Sequence, residues 1–534
     1  MTTGHQDIEI TRKLVETLGE LDQFGHESPA VQILETHISY VLLTGSFAYK
    51  IKKPVDLGFV DFSSLDKRRF YCEEEVRLNK RMAPDLYLGV TPITGTIDLP
   101  KLDGTGEVIE YAVKMRQFEQ DHQLDRYLKQ AEILPDQLDR FAADIAEFHG
   151  GLKPIAYSSR FATYESIANH ALDNFMFCES CTETIDQRET LKTLKEWTQE
   201  SLQKNKSHFA QRKRDGFVRE CHGDLHLGNL TLLDGRVVAF DCLEFNADLR
   251  CIDTICEIAF FLMDIDYHNR SHQGRQFLNK YLEALGDYEG LRLLRHYLTY
   301  RAMVRAKVAC IKLQQLSDNA GASNDIRAEF DRHIILAKHY TKPVSDTPII
   351  ITHGFSGCGK TYVTEKLIAV TNMVRIRSDI ERKRLAGLSG RQSSHSETGQ
   401  DLYTKAASQN VYQRLYELAR VIIDAGYPVI VDATFLRSDD RHMFQELAKN
   451  LSVPYVILEI TASPATLKQR IERRRKSETD ASEATLDVLK FQQGNAESLA
   501  EEEHRFCLTI DSETNVDFNS IWKSILMICR ATQD

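Results

Sequence analysis

The sequence predicts two regions of different class: an α+β region made of a small sheet lobe and a larger helical lobe, then an α/β region with a parallel sheet. Three observations carry this. Short strand-like runs dominate from about 31 to 118 and give way to a helical pattern from about 120 to 335. From Pro348 onward strands and helices alternate, an order that implies parallel pairing with helical crossovers. Two glycine-bearing loop motifs, at residues 222–229 and 354–361, fall one in each region.

The elements follow in chain order. Residues 1–30 read as an amphipathic helical segment, with Gly25 and Pro29 ending the pattern. Residues 31–118 form the small lobe, with strand runs at 39–43, 47–52 and 109–115 and one strong helix at about 66–82. Residues 119–336 form the helical lobe, interrupted by the loop at 222–229 and a strand at 237–240. Residues 337–347 are polar with one proline and read as a linker. Residues 348–534 form the α/β region, with strands at 348–352, 374–377, 429–431 and 455–460.

Composition narrows the function classes. A chain of 534 residues exceeds one ordinary core. The net charge of -11 argues against general adhesion to nucleic acid or anionic membrane. The expected partner is a small-molecule or nucleotide acceptor. Nucleic acid is disfavoured but stays open as an acceptor, and the oligomeric state is not encoded. No apolar run is long enough to span a bilayer, and Met1–Glu9 lacks the apolar core of a signal peptide, so the expected compartment is the cytoplasm. The 11 cysteines fit no disulfide framework. Cys178 and Cys181 form a lone C-x-x-C, which reads as buried thiols because no second ligand pair accompanies it. The basic stretch 203–214 reads as a solvated helix face rather than an RNA arm.

Residues 222–229 read His-Gly-Asp-Leu-His-Leu-Gly-Asn, an H-x-D-x-x-x-x-N loop. Phosphoryl transfer to a hydroxyl needs a carboxylate to orient or accept the proton, metal ions on the phosphates and a fixed cation on the α/β-phosphates. Asp224 stands in the loop position of the base. Asn229 is placed to hold a magnesium ion. Asp241 ends the apolar strand after a hairpin turn at Gly235, where the main metal ligand belongs. His222 reads as a brace for the loop.

This pattern, over roughly residues 31–335, resembles the aminoglycoside phosphotransferase family, whose fold is protein-kinase-like and bilobal. The resemblance implies a lysine on the strand after the Gly45-Ser46 turn. Ala48-x-Lys50 matches, with Lys52 as the alternative, since residues 48, 50 and 52 share a face. It implies a glutamate partner on the following helix, assigned to Glu75, and an adenine-holding hinge at Met115–Phe118. Asp241 is followed by Cys242-Leu243-Glu244 rather than Phe-Gly, and no glycine-rich phosphate flap appears near residue 45.

Residues 354–361 read Gly-Phe-Ser-Gly-Cys-Gly-Lys-Thr, a complete G-x-x-x-x-G-K-[ST] phosphate loop between a strand and a helix. Gly354, Ser356, Gly357, Cys358 and Gly359 supply backbone N–H groups, Lys360 reaches the β/γ-phosphates, and the Thr361 hydroxyl binds magnesium. Asp379 and Arg382 follow the second strand, where Asp379 would orient an acceptor hydroxyl and Arg382 would hold acceptor or phosphate. Asp432 ends the third strand near the metal. Arg470, Arg473 and Arg474 recur at helical spacing and would close as a lid, with Arg470 and Arg474 on one face.

This region, about 348–505, resembles P-loop kinases of the polynucleotide kinase, zeta-toxin and chloramphenicol phosphotransferase group. The whole chain resembles bacterial fusion proteins described as bifunctional aminoglycoside phosphotransferase/ATP-binding proteins. The expectation is therefore an α+β protein-kinase-like bilobal domain followed by an α/β P-loop domain. The expected cofactors are ATP, with GTP an open alternative, and Mg2+. The expected activity is phosphoryl transfer to small-molecule or nucleotide hydroxyls. A single active kinase with a regulatory nucleotide-binding module, and a nucleic-acid 5′-hydroxyl kinase, are the alternatives. Acceptor pockets are expected in the insertions at 155–215 and 385–410, whose residues encode no readable chemical group.

Overall fold

A computed structural model describes residues 3–20, 24, 31–58, 60–315, 320–343, 347–388, 405–477 and 485–531. The chain separates into two compact units. The first comprises Met1–Phe141, Phe148–Asp173 and Phe209–Asp264; the second comprises Ala142–Glu147, Asn174–His208 and Ile265–Asp534.

The first unit is built on six antiparallel strands: β1 (Gln32–Glu35), β2 (Ser39–Leu43), β3 (Phe47–Lys52), β4 (Tyr87–Thr96), β5 (Leu99–Leu102) and β6 (Val108–Arg116), in the order β1-β2-β3-β6-β4-β5. Alternation along β3 sets its faces. Tyr49 and Ile51 join Leu14, Val15 and Leu18 of the helix Thr3–Glu20 in one apolar cluster. Lys50 and Lys52 point the other way, to the helix Leu65–Asn79. That helix starts at Ser64, whose hydroxyl accepts the Lys67 N–H, and buries Cys72 against Leu86, Tyr87 and Val113. β4 is absent from the sequence expectation because Gly89, Pro92 and Gly95 break its alternation. The structure absorbs them with register shifts at Tyr87/Gly89 and Ile93/Thr94.

The same unit carries β7 (Val218–Glu220) paired with β10 (Cys251–Asp253), and the hairpin of β8 (Leu230–Leu233) and β9 (Arg236–Ala239). The basic stretch 203–214 departs from its expectation. Arg212 and Lys213 are buried, not solvated. Arg212 grips Asp253 through Nε (2.6 Å) and Nη2 (2.8 Å), and Lys213 donates to the carbonyls of Ser159 (2.7 Å) and Phe161 (2.6 Å). Their long side chains reach internal acceptors, which a charge pattern alone does not reveal.

The second unit holds a parallel sheet of β11 (Ile349–His353), β12 (Val374–Arg377), β13 (Val429–Asp432), β14 (Tyr455–Thr461) and β15 (Cys507–Asp511), ordered β12-β13-β11-β14-β15. Its core joins Ile350, Ile430, Val456 and Leu458 to Val363 and Leu367 of the helix Lys360–Val370. The edge strand β12 is capped by the helix Ser271–Leu285. Asn279 accepts the Arg375 N–H (2.7 Å) and donates to the Met373 carbonyl (3.1 Å), the two groups a further strand would engage. Arg275 of the same helix donates to the Ala369 carbonyl at 2.7 Å.

These bonds tie the helix Ser271–Leu285 to the parallel sheet within the second unit. The expected linker also shortens, because the helix Ala320–Thr341 runs through its first residues with Ala337 and Tyr340 buried. Among the described residues no helix is long and apolar enough to cross a membrane. Cys178 and Cys181 are free thiols beside Cys310, whose ionisation is suppressed by its hydrogen bond with Cys178 and by burial.

Candidate functional site

The first constellation assembles around Lys50. Its ammonium donates to Glu75 Oε1 (2.8 Å) and Asp241 Oδ1 (2.5 Å). Lys52 lies behind it, fully buried, donating to Glu75 Oε2 (2.6 Å) and to Glu244. The two lysines differ in exposure and in partner. Lys50 reaches Asp241, whose carboxylate is 42% exposed, while Lys52 serves the interior. Burial opposes the charge on Lys50, but Asp241 and Glu75 outweigh it and hold the lysine protonated well above its ordinary range. Glu75 is likewise penalised by burial and brought below the usual carboxylate range by Lys50 and Lys52. Burial raises Glu244 despite its hydrogen bond from Lys52. Two ammonium groups facing three carboxylates leave an excess negative charge suited to a divalent cation.

Asp241 has φ 60°, a left-handed conformation that costs a non-glycine residue about 1–3 kcal/mol. Two hydrogen bonds hold it: the Asp241 N–H donates to the Tyr87 hydroxyl (3.0 Å), and the Cys242 N–H to Asn79 Oδ1 (2.8 Å). The turn thereby aims the Asp241 carboxylate at Lys50.

The loop at 222–229 is fixed by the helix Thr254–Tyr267. Glu257 accepts the N–H groups of His222 (2.6 Å) and Gly223 (2.9 Å), and Asp264 accepts that of Leu227 (2.9 Å). His222 Nε2 donates to the Phe240 carbonyl (2.9 Å), so Nδ1 accepts the Asp224 N–H (3.3 Å). Burial lowers its pKa to about 4, in keeping with this neutral tautomer. Asn229 Nδ2 donates to the backbone carbonyl (3.0 Å) and carboxylate (2.8 Å) of Asp224. Its amide oxygen is then the atom left to ligate a metal. The turn between β2 and β3 is tight, closed by Thr44 N–H to the Phe47 carbonyl (3.0 Å), with Gly45 at φ 92°. At the expected hinge, the Gln117 N–H donates to the Ser46 carbonyl (3.1 Å), and Phe118 packs on Phe240.

The second constellation is the loop between β11 and the helix Lys360–Val370. Gly354 (φ 146°) and Gly357 (φ 87°) need glycine twice over. A Cβ at Gly354 would strike the Ile460 carbonyl, and one at Gly357 would sit 2.9 Å from the Leu467 carbonyl. Lys360 donates to the carbonyls of Gly354 (3.0 Å) and Phe355 (2.8 Å). The Thr361 hydroxyl donates to Asp432 Oδ2 (3.0 Å). A hydroxyl and a carboxylate side by side form the hard oxygen set that Mg2+ takes alongside phosphate. Asp379 pairs with Arg382 (2.9 Å) on the first turns of the helix Ser378–Leu385, and no side chain caps that helix.

Arg470 departs from its expected lid role. Its guanidinium donates to the Cys358 carbonyl (3.2 Å) and to Ser512 Oγ (2.8 Å), so it braces the loop from its own side. Arg473 is exposed, and the side chain of Arg474 lies outside the described residues, as does most of the expected insertion at 385–410.

Several residues escaped the sequence reading. Glu244, three residues after Asp241, could have been suspected from its position. Tyr87, Asn79 and Glu257 carry no local signal. Nor does Gln492, which accepts the Ser356 N–H (2.9 Å) and donates to its hydroxyl (3.0 Å).

With this geometry in hand, comparison with known proteins defines the class. Residues 72–294 match the phosphotransferase enzyme family, and residues 349–499 match the AAA domain family. The chain is a kinase, with a phosphotransferase-family region followed by a P-loop domain. It is 26% identical over 469 residues to an uncharacterized protein of Mycobacterium tuberculosis strain H37Rv, spanning 88% of this chain and 91% of that one. Among solved structures, a choline/ethanolamine kinase family protein of Mesorhizobium loti is 11% identical with a TM-score of 0.36, covering 62% of this chain and 99% of its own. Kti12 of Chaetomium thermophilum, in complex with ADP-AlF3, is 17% identical with a TM-score of 0.27, covering 33% and 99%.

Proposed function

We propose that the chain is an ATP- and Mg2+-dependent phosphotransferase with two nucleotide sites, each delivering a γ-phosphoryl group to a hydroxyl of a small molecule or nucleotide. The observation that carries this reading is the convergence of Lys50 on Glu75, 25 residues away, and on Asp241, 191 residues away. An ion bridge of this kind orients a cation toward the α/β-phosphates. In that site Asp241 and the Asn229 amide oxygen would hold Mg2+, which supplies charge neutralisation on the phosphates. Asp224 orients the acceptor hydroxyl and takes its proton as the oxygen attacks phosphorus and ADP departs. His222 positions Asp224. In the P-loop site the backbone N–H groups and Lys360 bind phosphate, Thr361 and Asp432 would hold Mg2+, and Asp379 with Arg382 receives the acceptor. Use of ATP fits a cytoplasmic enzyme.

Calorimetric titration of the intact chain with Mg-ATP tests the reading. Two equivalents are expected, with Lys360→Ala removing one and Asp241→Asn the other. A single equivalent that both substitutions weaken sinks the two-site assignment. Incubation with a metabolite extract, read by mass gain of one phosphate, then identifies the acceptors.

A further inference from the structure

We propose that the helix Ser271–Leu285 is a working part of the P-loop site, with Glu283 as a positioning residue for the pair Thr361 and Asp432. This rests on the nucleotide-binding reading of that site. Glu283 lies within the segment matched to the phosphotransferase family, yet its carboxylate serves the parallel sheet. Glu283 Oε1 accepts from Arg375 Nε (3.0 Å) and Nη2 (2.8 Å). Arg375 in turn donates through Nη1 to the Thr361 carbonyl (3.3 Å) and the Thr364 hydroxyl (3.3 Å), in the first turn of the P-loop helix. A second branch runs through Arg377, which stands 3.8 Å from Glu283 Oε2 and 3.7 Å from Asp432 Oδ2. That Asp432 oxygen is the one accepting the Thr361 hydroxyl.

The chemistry follows from this sharing. An arginine that closed to hydrogen-bond distance on Asp432 would compete with a divalent cation for the same oxygens. Glu283 and Asp432 hold Arg377 between them, beyond hydrogen-bond range of either. Glu283 and Asp432 side chains are only 4% and 5% exposed, so solvent screens the contest weakly. Without the Glu283 charge, Arg377 closes on Asp432 and competes with the metal, and Arg375 loses the anchor that holds the Thr361 turn. Glu283 touches neither nucleotide nor metal; it acts through the two arginines.

The test uses the intact chain, titrated with ATP in the presence of Mg2+ and again with chelator. The P-loop isotherm is the one that Lys360→Ala removes. Glu283→Gln is expected to reduce the metal-dependent gain in ATP affinity at that site about tenfold, with metal-free affinity within about twofold of wild type. The double variant Glu283→Gln/Arg377→Met is expected to recover most of the gain, because the competing cation is gone. Asn279→Ala, which removes the strand cap and leaves the relay, is expected to lower Tm without that selective loss. Equal loss with and without metal, no loss, or no recovery in the double variant overturns the proposal. Where Glu283→Gln alone does not fold, the double variant decides: a metal-dependent gain near that of wild type supports the relay, and a gain reduced about tenfold ends it. A wild-type isotherm untouched by Lys360→Ala means instead that the nucleotide reading of the loop has failed.

Discussion

Around Lys50 the proposed phosphate site is built from side chains drawn from distant parts of the chain, whereas around Lys360 it is built on the backbone of one short loop. The first arrangement needs Glu75, Glu244 and Asp241 to balance two buried ammonium groups, and it needs Tyr87 and Asn79 to hold a strained turn. The second needs glycines that tolerate positive φ and a helix N-terminus behind them. A buried charge network is specific but fragile, because removing one member strands the rest. A backbone cradle has fewer points of failure.

Four experiments probe this contrast. The largest effect is expected from Asp224→Ala, which should cut phosphotransfer at the Lys50 site by about 10²–10⁴-fold while nucleotide binding persists. Single-turnover transfer measured beside calorimetry checks this, and retained turnover would falsify the role of Asp224. Next comes Lys52→Met. It leaves Glu75 and Glu244 buried with one cation fewer, and stability should fall by about 3–5 kcal/mol in denaturant unfolding. Adding Glu244→Gln should recover much of the loss, and a harmless single substitution would show that the network is not what holds the small lobe together.

The third is pH dependence of the first unit. Burial depresses the pKa of His222 from 6.5 to about 4, so the folded state favours the neutral ring. The associated stability is complete above 6.5 and is lost as pH falls toward 4, on the order of 3 kcal/mol across that window. Unfolding measured across the same range should show a shallower acid limb in His222→Gln. The smallest effect belongs to the backbone cradle: Gln492→Ala frees the Ser356 N–H that Gln492 accepts while loosening the Ser356 hydroxyl, and should change nucleotide binding at the P-loop by no more than about fivefold, near 1 kcal/mol. A much larger loss would mean the cradle depends on side chains as heavily as the Lys50 site does.

Legibility in the sequence divided along the same line. The P-loop is contiguous, so its residues, flanking strand and helix could all be read in place. Asp224, Asn229 and Asp241 were legible because a short loop, a hairpin and a strand end keep them close in sequence. Lys50 was preferred to Lys52 only through the Ala48-x-Lys50 match, since both lie on the same face of β3 and only the third dimension gives one of them Asp241 and the other Glu244. Arg470 was assigned to a lid because helical spacing shows a face and not what that face meets; it meets the Cys358 carbonyl.

Sequence alone located two loop motifs, the strand–helix alternation around the second and the candidate residues proposed for each site. Local geometry governs those features, and local geometry is written in neighbouring residues. The tertiary structure alone decided that Glu75 bridges two lysines, that Arg212 and Lys213 turn inward, and that Asn279 and Glu283 on a helix from the phosphotransferase-matched segment serve the edge of the parallel sheet. Those pairings join residues tens to hundreds of positions apart, and what selects them is the need of each buried charge or strand edge to find a partner, a condition no short window of sequence contains.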